Sequence, residues 1–327
     1  MTAPLTEFRL AQPSTVKDAV AACIKHPGSR FVAGGTDLLV NMRRGISNPD
    51  LLVDLSGIDE LTEIKTDESG LTIGAGVTIA ALARNTAIAS QYRALAQAAK
   101  AIAGAGHRVM ATVGGNLCLD TRCIYYNQSE WWRSANAYCL KHRGDICHVA
   151  PQGQRCHAAF SGDLAPALLV YGAEIDIAGP KGQRRISLSD LYVEDGKAHL
   201  TLASGELIVT VHLPAAPPPS AYEKVRVRGA IDFPLAGVAV ALTASGTNVG
   251  SLRIALTGTN SRPFLLAGTE AFAGRPVDEK LLQEIDRLVQ KQVQPMRTTI
   301  ASANYRRVAA AALARRLTAR LFAERTA

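Results

Sequence analysis

Five cysteines follow one another with the spacing C-x4-C-x15-C-x7-C-x8-C, at Cys118, Cys123, Cys139, Cys147 and Cys156. The same stretch holds both tryptophans of the 327-residue chain, two of its seven histidines (His142 and His148) and, one position beyond, His157. Thiolates and imidazoles crowded in this way are soft metal ligands. Three chemistries are open to them. The cysteines could be buried structural residues, but such density in so short a stretch speaks against that. Zinc takes four thiolates or a thiolate–imidazole mixture, usually on close C-x2-C pairs, and no such pair is present. An iron–sulfur cluster takes four thiolates and tolerates wide spacing. Spacing alone does not put the cluster ahead of zinc. Tyr125, Tyr126, Trp131, Trp132 and Tyr138 could build a small local core around any of the three.

Two glycine turns are the second chemical feature, AGGTDLL (33–39) and TVGGN (112–116). Glycine lets backbone N–H groups approach a phosphate, and a following helix N-terminus favours the anion. Singly, each pair needs to be no more than a tight turn. Neither the GxGxxG fingerprint nor a GxxxxGK[ST] loop occurs, so Rossmann and P-loop nucleotide binding are not indicated.

The elements that would position these residues alternate along the chain. STVKDAVAACIKH (14–26) reads as a helix with Ser14 as N-cap and Pro27–Gly28 as its stop. RFVAGGTDLLV (30–40) reads as strand, glycine turn and helix start, and LLVDLSGI (51–58) as a buried strand. A small α/β unit is therefore expected over residues 1–58. LTIGAGVTIAAL (71–82) and QYRALAQAAKAIAG (91–104) give a further strand and helices, and GELIVTVHLP (205–214) a clean alternating strand. PAAPPPS (214–220) is the clearest linker. Beyond it, strands at 222–228, 238–244 and 251–259 precede helices at 278–293 and 300–325, the pattern of an α+β unit over 221–327.

Composition excludes several classes. Apolar residues make up 47% of the chain, enough for sizeable cores, while aromatics are only 5%. The net charge is +8, but Arg and Lys are scattered, and their densest run, 306–325, reads as an Ala/Leu-rich helix with Val308, Leu313, Leu317 and Leu321 among the arginines. A solvated or interface-facing helix is expected there, not a nucleic-acid surface, which needs stacking aromatics on a basic face. No secretory signal is seen at the start and no run is long and apolar enough for a membrane span, so a cytoplasmic, thiol-reducing setting is expected.

Together AGGTDLL, HRVMATVGGNL, SGDLAPAL, GELIVTVHLP and YEKVRVR resemble the flavoprotein module of the molybdenum hydroxylases, the xanthine dehydrogenase and carbon monoxide dehydrogenase type. The resemblance covers almost the whole chain. It implies an α+β fold: a two-part PCMH-type FAD-binding domain, subdomain 1 over 1–58 and subdomain 2 over 59–214, then the flavoprotein C-terminal domain over 221–327. It implies FAD as cofactor. The first turn, Phe31, Val32, Ala33, Gly34, Gly35, Thr36, Asp37 and Leu38, would wrap the pyrophosphate. Thr112, Gly114, Gly115 and Asn116 would border the phosphates and ribityl chain. Asp163 matches an acidic residue near the adenosine end, although alone it would also serve as a helix N-cap. Ile208 and Lys224 match positions near the isoalloxazine ring, where a cation stabilises reduced flavin. Without the motif, Lys224 would read as a strand-edge surface lysine.

Asn116 and Asp163 stand 47 positions apart, far more than the family pattern, so residues of about 117–158 form an insertion. It resembles the insertion in the FAD subunit of the 4-hydroxybenzoyl-CoA reductases. That resemblance implies a [4Fe-4S] cluster on Cys123, Cys139, Cys147 and Cys156, with Cys118 a bystander; Cys23, on the first expected helix, is expected in the core. No substrate chemistry would then lie on this chain. Electrons from reduced ferredoxin would pass through the cluster and FAD to a small subunit with two [2Fe-2S] clusters and a molybdopterin-binding large subunit, in a dimer of heterotrimers, for reductive dehydroxylation of 4-hydroxybenzoyl-CoA. Lys141, His142 and Arg143 are expected to form a docking patch for an acidic ferredoxin. Two alternatives stand beside this reading: an oxidative molybdenum dehydrogenase for another aromatic substrate, and a flavoprotein whose insertion is stapled by zinc.

Overall fold

The computed structural model describes Leu5 and residues 7–326, with side chains to Glu324. Three sheets follow one another along the chain. The first is parallel, with β1 (Arg9–Ala11), β2 (Arg30–Val32) and β3 (Leu51–Asp54) in the order β1-β3-β2. Helix α1 (Val16–Lys25) packs Val16, Ala19 and Val20 against it. The cap of α1 is Thr15, not Ser14: the Thr15 hydroxyl accepts the Asp18 N–H at 3.1 Å. Cys23 is buried on this helix, as expected. The first glycine turn joins β2 to helix α2 (Leu38–Arg43).

The second sheet is antiparallel. Its strands are β4 (Ile64–Asp67), β5 (Gly70–Gly74), β6 (Glu174–Gly179), β7 (Gly182–Ser187) and β8 (Leu207–Pro214), in the order β4-β5-β8-β6-β7. Between β5 and β6 the chain forms α3 (Ile79–Arg84), α4 (Thr86–Gln91), α5 (Arg93–Ala101), α6 (Ala105–Arg108), α7 (Val113–Leu117), α8 (Glu130–Ala135) and α9 (Leu164–Tyr171). Every residue of α9, LAPALLVY, is buried, as befits a helix apolar all round. Pro166 falls in its first turn, where the missing N–H costs nothing, and Gly172 ends it in the left-handed region at φ 73°.

The third sheet, order β12-β11-β10-β9, contains β9 (Ser220–Val225), β10 (Ala236–Ser245), β11 (Asn248–Thr257) and β12 (Phe264–Leu265). Alternation along β10 assigns its faces. Val238, Val240 and Leu242 meet α10 (Glu279–Gln292) and α11 (Ala303–Thr326), while Ala239 and Ala241, with Ala255 of β11, face the core around α5 and α9. The small alanines let α9 approach closely. The mixed helix-and-sheet architecture is the α+β fold that the sequence leads one to expect.

One helix corrects the sequence reading. Ala310, Ala311, Leu313, Ala314, Leu317 and Leu321 of α11 lie in the core, and Arg306 is completely buried, so this is a core helix and not a solvated or interface one. Val308 alone of the expected apolar set is exposed. Arg306 donates to the carbonyls of Leu235 (3.0 Å) and Met296 (2.7 Å), to the Thr298 hydroxyl (2.9 Å) and to the Gly258 carbonyl. Arg316 and Arg320 reach Glu223 of β9. A charge run gives no warning of such pairing, because composition does not report burial. Among the described residues no helix is long and apolar enough to cross a membrane.

Candidate functional site

The first glycine turn is built for close approach. A Cβ on Gly34 would stand 1.8 Å from the Met110 carbonyl oxygen, so only glycine lets residues 33–37 lie against 110–111, the lead-in to the second turn. Gly35 adopts φ +65°, the left-handed region that glycine occupies without strain. Among the described residues, the backbone N–H groups of Gly34, Gly35, Thr36 and Asp37 donate to no group of the chain. Phe31 through Leu38 are all half-buried. Four unpaired amides in a glycine-shaped hollow are the donor set an anion requires.

The second turn is tied off internally. Thr112 caps α7, its hydroxyl accepting the Gly115 N–H at 3.1 Å, and the Gly114 N–H donates to the Ala75 carbonyl at 2.8 Å. Asn116 does not cap its own helix; its Oδ1 accepts the Leu164 N–H at 3.1 Å and so caps α9. Asp163 precedes α9 but makes no side-chain cap bond. Its carboxylate instead accepts from Tyr222 (2.6 Å) and pairs with Lys224 (2.9 Å), all three side chains being buried. Burial pushes the Asp163 carboxyl above its ordinary range, against the opposing pull of Lys224 and Tyr222. Lys224 is therefore a buried ion-pair partner, not a surface lysine. Ile208 lies on β8, paired with Ile177 and buried in the central core. It is one residue from Val209, whose carbonyl takes the Ala75 N–H behind Gly114.

Three residues that the sequence reading missed close the ring between these parts. Arg122 pairs with Asp37, and its guanidinium stands 4.6 Å from the centroid of the Phe233 ring. The neighbouring Asp232 carbonyl accepts from Lys224 at 3.1 Å, and the Asp232 carboxylate accepts the N–H groups of Val227 and Arg228, each at 3.0 Å. A continuous path of polar contacts thus runs from Asp37 through Arg122 and the 226–233 loop to Lys224, Asp163 and the α9 cap on Asn116. No local pattern marks Arg122, Asp232 or Phe233; only the tertiary fold brings them to the turns.

In the insertion, Cys123, Cys139, Cys147 and Cys156 are all buried, all free thiols, and line one cavity together with Tyr125, Tyr126, Leu140, Lys141 and His148. Burial pushes the Cys123 and Cys156 thiols up to about 11 and about 12. Cys118 is not part of this cavity and packs against the central core. The insertion is held from three sides. Thr121 donates to Gly196 at 2.6 Å, the Ile124 N–H to Thr298 at 2.9 Å, and buried Arg133 to the Arg44 carbonyl at 2.7 Å. The expected basic docking patch does not exist. Lys141 is buried, pairing with Asp120 at 2.6 Å and lying 4.2 Å from the Tyr126 ring centroid. His142 sits between the Tyr126 and Tyr138 rings, and only Arg143 is exposed, bonded to Glu130 at 3.1 Å. Three adjacent basic residues read as one patch, but a turn sends their side chains to different places.

Comparison with known proteins then decides the family. The model of the FAD binding domain in molybdopterin dehydrogenase matches residues 6–216, and that of the CO dehydrogenase flavoprotein C-terminal domain matches residues 220–321. The chain belongs to this FAD-binding family. Among its relatives, the aldehyde oxidoreductase FAD-binding subunit PaoB of Escherichia coli is 34% identical over 277 residues, 81% of this chain and 85% of that one. The carbon monoxide dehydrogenase medium chain of Afipia carboxidovorans is 28% identical over 314 residues, 94% of each. A solved CO dehydrogenase from Oligotropha carboxidovorans superposes with a TM-score of 0.80 at 25% identity, covering 98% of this chain and 99% of that one. Quinoline 2-oxidoreductase from Pseudomonas putida shares the fold, with a TM-score of 0.79 at 21% identity. The chain is thus an FAD-binding oxidoreductase subunit of the molybdenum hydroxylase family, and the open amides of its first turn fit that cofactor.

Proposed function

We propose that this chain is an electron-transfer subunit whose insertion carries a [4Fe-4S] cluster on Cys123, Cys139, Cys147 and Cys156 beside a bound FAD. The observation that carries the reading is the convergence of four free, buried thiols on one cavity, from positions spread over the whole insertion. Among the described residues no three His, Cys, Asp or Glu side chains gather into a site for a single metal ion. Four thiolates are the ligand set of a [4Fe-4S] cluster, and the resemblance of the insertion to that of the 4-hydroxybenzoyl-CoA reductases is what puts the cluster ahead of zinc. When bound, the cluster would store and pass single electrons. The chain's own part is to hold it dry among Tyr125, Tyr126 and Val149, with the buried Lys141 ammonium facing the same cavity.

For FAD, the open amides of Gly34 to Asp37 would seat the pyrophosphate, while Thr112, Gly114, Gly115 and Asn116 would shape the neighbouring wall. Because Lys224 is paired with Asp163 at 2.9 Å, these two would serve the same part of the flavin and not its opposite ends, while Ile208 would stay near the isoalloxazine ring. The partners in this reading are a molybdopterin-binding large subunit and a small subunit with two [2Fe-2S] clusters, arranged as a dimer of heterotrimers in the cytoplasm. The insertion supports the finer assignment to a 4-hydroxybenzoyl-CoA reductase, in which reduced ferredoxin supplies the electrons and the phenolic hydroxyl leaves as water. With Lys141 buried, the ferredoxin contact would have to use other residues. The relatives favour a second reading, since they are named for aldehyde and carbon monoxide: the same electron path would then run outward from an oxidised substrate.

Metal and acid-labile sulfide analysis of the anaerobically purified chain tests the cluster. Iron and sulfide in equal amounts, about four of each per chain, are expected. Zinc without sulfide would establish the stapled insertion instead.

A further inference from the structure

Asp37 presents a difficulty that the fold itself resolves. This residue belongs to the turn whose amides would receive a pyrophosphate. Its carboxylate is only 24% exposed and accepts from Asn41 at 3.3 Å as well as from Arg122, and a like charge so close to the seat opposes the anion. The insertion supplies the answer through Arg122. This guanidinium pairs with Asp37, its side chain is only 13% exposed, and its buried Nε has no partner. Phe233 covers one side of it. The backbone of Arg122 is locked by an antiparallel bridge to Ala159, with N–H to carbonyl distances of 2.7 and 2.8 Å, so the side chain is delivered to Asp37 from a fixed point. The residue that follows is Cys123.

We propose that Arg122 is a flavin-positioning residue: it neutralises Asp37 so that the first glycine turn accepts the FAD pyrophosphate, and it makes the insertion part of the flavin site. The inference rests on the seating of the pyrophosphate at the first turn, and it stands whether or not the insertion holds a cluster. An Arg at this point is supplied by the insertion and not by either glycine motif, so flavin binding depends on how the insertion folds. The Nε of Arg122 is a donor that no group of the described chain fills.

The test is titration of FAD into the deflavinated chain, followed by quenching of flavin fluorescence. Arg122→Met, of similar length but uncharged, is expected to bind FAD about tenfold or more weakly, the scale of one lost charged hydrogen bond. Arg122→Lys keeps the charge and is expected to lose less. Arg122→Met combined with Asp37→Asn removes both charges and is expected to recover most of the affinity, which a merely structural role for Arg122 would not produce. The proposal is overturned if Arg122→Met binds FAD like the parent, or if the double variant is as weak as the single one. Gly34→Ala, which closes the turn, separates the two possible failures. Unchanged affinity there removes the pyrophosphate seat itself. A loss there, with no effect of Arg122→Met, removes only the part assigned to Arg122.

Discussion

The candidate flavin groove and the cysteine insertion are adjacent in space and built by opposite means. The groove works through backbone: unpaired amides at Gly34 to Asp37, and a glycine that permits contact with the Met110 carbonyl. The insertion works through side chains, four thiols brought to one cavity by a segment whose only helix is α8. A backbone site tolerates many side-chain changes but no added Cβ at its contact points, because the neighbouring atom is itself main chain and cannot move aside. A thiol site has the reverse tolerance. The two turns make the same point on a smaller scale. The first leaves its amides free, whereas the second spends its own on Ala75 and Thr112 and serves as a wall.

The comparison can be broken most sharply at Gly34. Gly34→Ala places a methyl inside the Met110 carbonyl, and we expect loss of bound FAD with a destabilisation of about 3 kcal/mol or more. Flavin absorbance per chain and a urea midpoint check it. Retained flavin would mean that the turn is not the seat. Gly106→Ala, in helix α6 with nothing within 4 Å of the added Cβ, is the matched control. It is expected to keep its flavin and to gain at most about 1 kcal/mol from the better helix propensity.

A second effect distinguishes the insertion's stem from the groove. His199 is buried, with its Nε2 3.0 Å from the Leu119 carbonyl, just where the chain enters the insertion. Burial, with a smaller contribution from Lys141, lowers its pKa from 6.5 to about 4. The unfolded chain therefore binds a proton below about pH 6.5 that the folded chain refuses until about pH 4. Stability from this group is complete above that window and is lost as pH falls through it, by an amount on the order of 3 kcal/mol. His199→Gln keeps a donor for Leu119 and removes the titration. Urea unfolding between pH 6.5 and pH 4 should then show a shallower loss in the variant than in the parent. Parallel slopes would show that His199 does not carry the acid sensitivity.

How much of this was legible in the sequence follows the same division. Glycine pairs at strand-to-helix turns are local signals, so the groove's two walls could be found before any coordinates, as could the thiols. Burial and long-range pairing were not visible. Lys224 reads as a surface lysine without its motif, yet it lies buried against Asp163. Lys141, His142 and Arg143 read as one basic patch, and only Arg143 is exposed. Arg306 sits in an arginine-rich run but has no contact with solvent. Arg122 stands 85 positions from the aspartate it pairs with, a distance that no periodicity spans. In each case the sequence shows the charge, and the fold supplies its partner.

Low-temperature electron paramagnetic resonance of the dithionite-reduced chain tests the central claim most directly, with Cys123→Ser and Cys118→Ser measured beside the parent. The account predicts the signal of a reduced [4Fe-4S] cluster in the parent, its loss in Cys123→Ser and its survival in Cys118→Ser. A parent without the signal, or a signal lost with Cys118 and kept without Cys123, would contradict it.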